Sequence, residues 1–134
     1  MAITKTHKVL IVDDDFNDIY ITKRILSQAW SELQVETASR GEIALELLHS
    51  EDELPSLIFL DLKMPGMSGI ATLRRIRADE RLRNITVIIL TNSLLEADKK
   101  EVYAAGANGF IQKAVDMDLF AREISSLLER WLNE

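Results

Sequence analysis

Six side chains could carry chemistry in this chain: the run Asp13-Asp14-Asp15, Asp61 closing the apolar stretch Leu57-Ile58-Phe59-Leu60, Thr91 closing Val87-Ile88-Ile89-Leu90, and Lys113 directly after Phe110-Ile111-Gln112. Clustered carboxylates repel one another, and some stay protonated unless a cation sits among them. The chain has no cysteine, and neither of its His residues lies near these positions in sequence. The ligand set is therefore all oxygen, which suits Mg²⁺, held typically by one or two carboxylates plus water and a phosphate oxygen. Lys113 adds a point positive charge and Thr91 a hydroxyl donor. A divalent cation, an ammonium and a hydroxyl around one carboxylate form a preorganised cradle for a phosphoryl group. Asp61 is then the nucleophile of an acyl phosphate. Each residue also has a plain structural role. The Asp run could cap a helix, Thr91 could bond backbone, and Lys113 could be a solvated strand end. The constellation is far more specific than its members.

The elements that must position these residues follow from the apolar pattern. Val9-Leu10-Ile11-Val12, Leu57-Ile58-Phe59-Leu60 and Thr86-Val87-Ile88-Ile89-Leu90 are continuous apolar runs, as in strands buried on both faces. Gln34-Val35-Glu36-Thr37-Ala38 alternates and suits a half-exposed strand near an edge, and Gly109-Phe110-Ile111-Gln112 is a fifth strand. Helical spacing links Ile19, Thr22, Leu26 and Trp30, with Asp15 or a neighbour as cap and Asp18 in the first turn facing the helix dipole. Ser39 to Glu42 has capping-box spacing and opens a helix carrying Ile43, Ala44, Leu47 and Leu48. A third helix turns Ile70, Leu73 and Ile76 inward and Arg74, Arg75 and Arg77 toward water. Ser93 to Glu96 has the same box spacing, and the fourth helix presents Leu95, Val102 and Tyr103. Phe120, Ile124, Leu127, Leu128 and Trp131 form the stripe of the last helix. Phe110, in an apolar strand, reads as core, and so does Trp131, with a dimer anchor as its other reading.

Five strands alternating with five helices predict an α/β fold: a parallel sheet covered on both faces by right-handed crossovers. The expected order is 2-1-3-4-5, the flavodoxin-like doubly wound (βα)5 arrangement. All strand C-termini then share one edge, and strands one and three are neighbours, so Asp13, Asp14 and Asp61 should meet there. The 134 residues suit one domain. A net charge of −6 with no basic run argues against nucleic acid or an anionic membrane as partner. No apolar stretch is long enough to span a bilayer and the first residues lack a signal-peptide centre, so a cytoplasmic location is expected.

Val9-Leu10-Ile11-Val12-Asp13-Asp14-Asp15, Phe59-Leu60-Asp61-Leu62-Lys63-Met64-Pro65-Gly66-Met67-Ser68-Gly69, Ile89-Leu90-Thr91 and Gly106-Ala107-Asn108-Gly109-Phe110-Ile111-Gln112-Lys113 together resemble the receiver domain of two-component response regulators. The resemblance covers the whole chain. It implies that Asp61 accepts a phosphoryl group from a phosphohistidine on a sensor histidine kinase or histidine phosphotransfer protein. It implies that Asp14, Asp61 and the backbone carbonyl of Lys63 bind Mg²⁺ directly, with Asp13 acting through water, and that Lys113 pairs with the phosphate. Thr91 would move to bond a phosphate oxygen and Phe110 would turn inward, switching the face made by the fourth helix, fifth strand and fifth helix. That face is also a candidate homodimer contact. Lys63 and Ser93 would influence hydrolysis of the phosphoryl group. The chain would thus catalyse its own phosphorylation and dephosphorylation without being a conventional enzyme. Ala114 stands where the family usually has Pro, often after a cis bond; a cis bond without Pro costs about 2.5–4 kcal/mol.

With residues 1–134 read as one receiver and no output domain, a stand-alone receiver is expected. Leu90-Thr91-Asn92-Ser93 and Leu128-Glu129-Arg130-Trp131-Leu132-Asn133 look like the free-standing receivers paired with phytochrome-type sensor kinases. The rival reading is a receiver-fold binding module that works without phosphorylation, against which the complete acidic pair, Asp61, Thr91 and Lys113 count. A related metal-dependent phosphatase would want a general-acid Asp where Lys63 stands. A flavodoxin-type protein would want a Ser/Thr- and Gly-rich loop where three Asp residues would repel its phosphate.

Overall fold

A computed structural model describes residues 7–92, 95–113 and 116–132. In chain order the elements are β1 (Lys8–Val12), α1 (Phe16–Ala29), β2 (Gln34–Ala38), α2 (Gly41–Ser50), β3 (Leu57–Asp61), α3 (Gly69–Ala78), β4 (Thr86–Thr91), α4 (Glu96–Ala104), β5 (Gly109–Gln112) and α5 (Met117–Leu132). The five strands pair in the order β2-β1-β3-β4-β5, all parallel, as the alternation of elements predicts.

Side chains of a strand alternate between faces, and the three central strands use both. Leu10, Val12, Ile58, Leu60, Val87 and Ile89 share one core layer with Leu48, Leu73, Ile76 and Val102 of α2, α3 and α4. Val9, Ile11, Leu57, Phe59, Ile88 and Leu90 share the other with Ile25, Leu26, Phe120, Ile124 and Leu128 of α1 and α5. Each such side chain contributes roughly 1.5–3 kcal/mol by leaving water. This explains why β1, β3 and β4 read as unbroken apolar runs, while the edge strand β2 alternates.

Several helix readings are corrected. The Ser39–Glu42 capping box does not form: α2 starts at Gly41 with Arg40 as N-cap and no side-chain cap bond. Glu42 instead lies against the turn after β3, its Oε2 2.8 Å from where a Cβ on Gly66 would sit. Ile43 is exposed, and α2 buries Gly41, Ala44, Leu45 and Leu48. Of the three residues assigned to the fourth helix only Val102 is core; Leu95 caps the helix start and is exposed, like Tyr103. Ile19, Trp30, Ile70, Leu127 and Trp131 pack at the core margins, half-buried, and Ile25 and Leu132 are additional core residues. Arg77 does not point to water but into a hydrogen-bonded niche. The Ser93–Glu96 box and the Lys113–Ala114 bond involve positions outside the described residues.

Asp15 is the N-cap of α1, its Oδ1 accepting from the backbone N–H of Asn17 at 2.9 Å and of Asp18 at 3.2 Å. Asp15→Ala should cost about 1 kcal/mol of stability, read as a lower urea midpoint in EDTA at an unchanged slope. No loss would mean that another group caps α1.

Candidate functional site

The C-terminal ends of β1, β3 and β4 and the residue after β5 open on one cleft of about 300 Å³. β1 and β3 are adjacent, with Val12 opposite Leu60, so the residues after them face each other. Asp13, Asp14 and Asp61 each bring a carboxylate oxygen within 4.8 Å of the others. Asp13 and Asp61 are buried and Asp14 is exposed. Asp13 is fixed by its backbone: its N–H donates to the carbonyl of Ala38 at 3.0 Å, and its Oδ1 accepts from the N–H of Asp15 at 3.0 Å. Asp61 ends β3, and Gly69 lets the start of α3 close on it. A Cβ at Gly69 would fall 2.2 Å from the Asp61 carbonyl oxygen.

Lys113 extends the β4–β5 ladder, its N–H donating to the Thr91 carbonyl at 2.7 Å. Its ammonium crosses to the carboxylates. Nζ donates to Asp13 Oδ2 at 2.7 Å and to Asp18 Oδ2 at 2.9 Å, and lies 3.5 Å from Asp61 Oδ1. Thr91 is buried at the cleft wall, and Lys63 and Asn92 line it too, Lys63 exposed. The expected residues Asp13, Asp14, Asp61, Lys63, Thr91 and Lys113 are therefore together. Phe110 is not in the cleft. It is half-buried against the α3/α4 core layer and lines a groove of about 510 Å³ with Tyr103, Leu119 and Leu127. Asp18 is a cleft residue that the sequence reading assigned only to the helix dipole. Its one available signal was its spacing from Thr22 and Ile25, which lie four and seven residues on along the buried face of α1.

Burial dominates the electrostatics. It pushes the Asp61 carboxyl up to about 6, with Asp13 and Asp14 adding to the rise and Lys113 opposing it. Burial likewise raises Asp13 against the bonds from Lys113 and Asp15. Burial would lower Lys113, but its bonds to Asp13 and Asp18 and the charge of Asp61 hold it above its usual range. Such a site is short of positive charge. The all-oxygen donor set, two buried carboxylates and one exposed, fits a small hard divalent cation.

The family model for the response regulator receiver domain matches residues 9–125. The chemotaxis protein CheY of Pseudomonas aeruginosa is 35% identical over 123 residues, spanning 92% of this chain and 97% of that protein. Among solved structures, the phosphorylated cyanobacterial phytochrome response regulator RcpA superposes with a TM-score of 0.89 at 28% identity, covering 96% of each chain. The bacteriophytochrome response regulator AtBRR does so with a TM-score of 0.76 at 29% identity, over 92% of this chain and 93% of its own. With an acidic cluster, a hydroxyl and an ammonium at the shared strand edge of such a fold, this chain belongs to the response regulator receiver domains of two-component signalling.

Proposed function

We propose that Asp61 accepts a phosphoryl group from a phosphohistidine of a sensor histidine kinase or histidine phosphotransfer protein, in a Mg²⁺-dependent reaction. The observation that carries this is the Lys113 ammonium set among Asp13, Asp18 and Asp61 beside Asp14 and Thr91. An Asp61 oxygen attacks phosphorus, the bond from phosphorus to the donor imidazole breaks, and its electron pair leaves with the imidazole. Asp13, Asp14 and Asp61, with the Lys63 carbonyl, would hold the cation, which when bound supplies positive charge between the carboxylates and the phosphoryl oxygens. Lys113 pairs with a phosphoryl oxygen, and the Thr91 hydroxyl donates to another.

Thr91 and Phe110 serve as the switch. Phe110 pairs with Ile89 and Gln112 with Thr91, so the two lie on neighbouring strands two positions apart. A bond from Thr91 to phosphate would bias one of two arrangements of the α4–β5–α5 face. The groove there, with Tyr103 and Leu119 exposed, is the surface for a downstream protein or a second copy of the chain. The single-domain reading over residues 1–134 is supported by CheY and RcpA, of which the match covers 97% and 96%. No helix among the described residues is long and apolar enough to cross a membrane.

The test is intact mass after incubation with acetyl phosphate, with and without Mg²⁺, followed by mapping of the modified peptide. One phosphoryl group that requires Mg²⁺ and maps to Asp61 is expected. No adduct under any condition would favour the phosphorylation-independent binding module.

A further inference from the structure

The Lys113 ammonium is held closer to the end of β1 and to α1 than to the acceptor: its Nζ is 2.7 Å from Asp13 and 2.9 Å from Asp18, against 3.5 Å from Asp61. Asp18 belongs to the first turn of α1, but that turn is already capped by the Asp15 side chain. The Asp18 carboxylate is turned instead to a lysine 95 residues away in sequence. Behind the pair lies a small cavity of about 40 Å³, walled by Ile21, Thr22, Met117 and Phe120, which leaves the side chains room to shift.

We propose that Asp18 is a positioning residue that anchors Lys113 on the α1 side of the cleft and holds its charge back from Asp61. It thereby sets how much phosphodonor is needed to load the site. This rests on the reading that Asp61 is phosphorylated and that Lys113 meets the incoming phosphoryl group. To do so, Nζ must lengthen one of its two short bonds. Asp13 is buried, with its other oxygen bonded to the Asp15 N–H, whereas the Asp18 side chain is 27% exposed. Water can therefore replace the lysine at Asp18 with less loss than at Asp13. Asp18 also adds a fifth carboxylate to a cleft that is lined by Asp13, Asp14, Asp15 and Asp61 and must admit an anion. Both effects have the same sign: removing the Asp18 charge should ease loading.

The experiment is the rate of phosphoryl uptake against acetyl phosphate concentration at saturating Mg²⁺, read by intact mass. It compares the wild type with Asp18→Asn and Asp18→Glu, each checked for fold by circular dichroism. Half-saturation should fall about fivefold in Asp18→Asn, the size of one partly exposed ion pair, and stay near the wild-type value in Asp18→Glu. The ratio between Asp18→Asn and wild type should shrink as KCl is raised. Mg²⁺ affinity by calorimetry should not rise. Asp18→Ser replaces Asp18→Asn if that variant loses its fold. An unchanged or higher half-saturation beside a wild type that labels normally overturns the proposal alone, and would make Asp18 a tie between α1 and β5 or a preorganiser. A wild type that takes up no phosphoryl group overturns the underlying reading and this inference with it.

Discussion

Asp61→Asn is expected to take up no phosphoryl group from acetyl phosphate and, in EDTA at pH 8, to be more stable than the wild type. The first effect is loss of the nucleophile. An amide oxygen has no ionised lone pair to offer phosphorus, and removal of a nucleophile costs at least about a thousandfold in rate. The second follows from where Asp61 sits. Burial among Asp13 and Asp14 outweighs the attraction of Lys113 and raises its carboxyl to about 6. An unfolded Asp titrates near 3.9. A carboxyl whose folded value lies above its unfolded one is protonated and harmless below about pH 4. The stability tied to it is lost as pH rises through about 6, amounting to about 3 kcal/mol by pH 8.

Asn has no charge to bury, so the variant should gain up to about 3 kcal/mol at pH 8 and nothing at pH 4. Mg²⁺ should then separate the two proteins in the opposite sense. A ligand stabilises the folded state in proportion to its occupancy, and the wild type offers three carboxylates where the variant keeps two. Melting curves at pH 4, 6 and 8, with EDTA and with Mg²⁺, read all of this. A variant less stable than wild type at pH 8 in EDTA would mean that the Lys113 attraction prevails over burial. Labelling of the variant would show that Asp61 is not the acceptor.

Such a site is a designed imbalance. Every local rule of a stable fold argues against burying Asp13 and Asp61 at one strand edge, and that conflict is what a ligand or covalent group can relieve. It was also what made the site legible. Continuous apolar runs place β1 and β3 inside the sheet, the alternation of elements makes them neighbours, and two strands that both end on acid must then bring acid to one point. Helix surfaces were less legible for a physical reason. Spacing says which residues share a face, but not what a long polar side chain on that face reaches. Glu42 has the spacing to bond back toward Ser39 and instead lies over Gly66. Asp18 sits where a helix dipole favours acid, and its partner is Lys113, the residue after β5. Arg77 follows Arg74 and Arg75, which are exposed, yet points inward. In each case the deciding partner is remote in sequence, and no local pattern encodes it.

Arg77 is where that difference has its largest consequence for stability. Its Nε donates to the Gly106 carbonyl at 2.9 Å, its Nη1 to the carbonyls of Arg83 at 3.0 Å and Ile85 at 2.7 Å, and its Nη2 to Asn108 Oδ1 at 2.8 Å. Asn108 Oδ1 in turn accepts from the Val87 N–H at 2.8 Å, and the Asn108 N–H donates to the Val87 carbonyl at 2.8 Å. One guanidinium thus joins α3 to the segment entering β4 and to the turn entering β5. Gly106 takes φ +107 at this point, and a Cβ there would sit 3.0 Å from the Arg77 side chain. Arg77→Met keeps the aliphatic stem but leaves the carbonyls of Gly106 and Ile85 without this donor. Hydrogen bonds from a charged donor are worth about 1.5–3 kcal/mol each, and they do not simply add. A net loss of about 3 kcal/mol is expected, a large share of the 5–15 kcal/mol typical of a domain. Arg77→Lys should recover only part of it, because an ammonium lacks the planar fork that serves these acceptors together. The niche lies at the opposite sheet edge from Asp61, so whatever fraction remains folded should still load phosphate at the wild-type half-saturation. Urea unfolding beside acetyl phosphate labelling separates the two. A wild-type urea midpoint for Arg77→Met would show that water serves these carbonyls as well as the guanidinium does. A shifted half-saturation at full folding would mean that the β4 and β5 entry segments are coupled to Thr91 and Lys113 at their far ends.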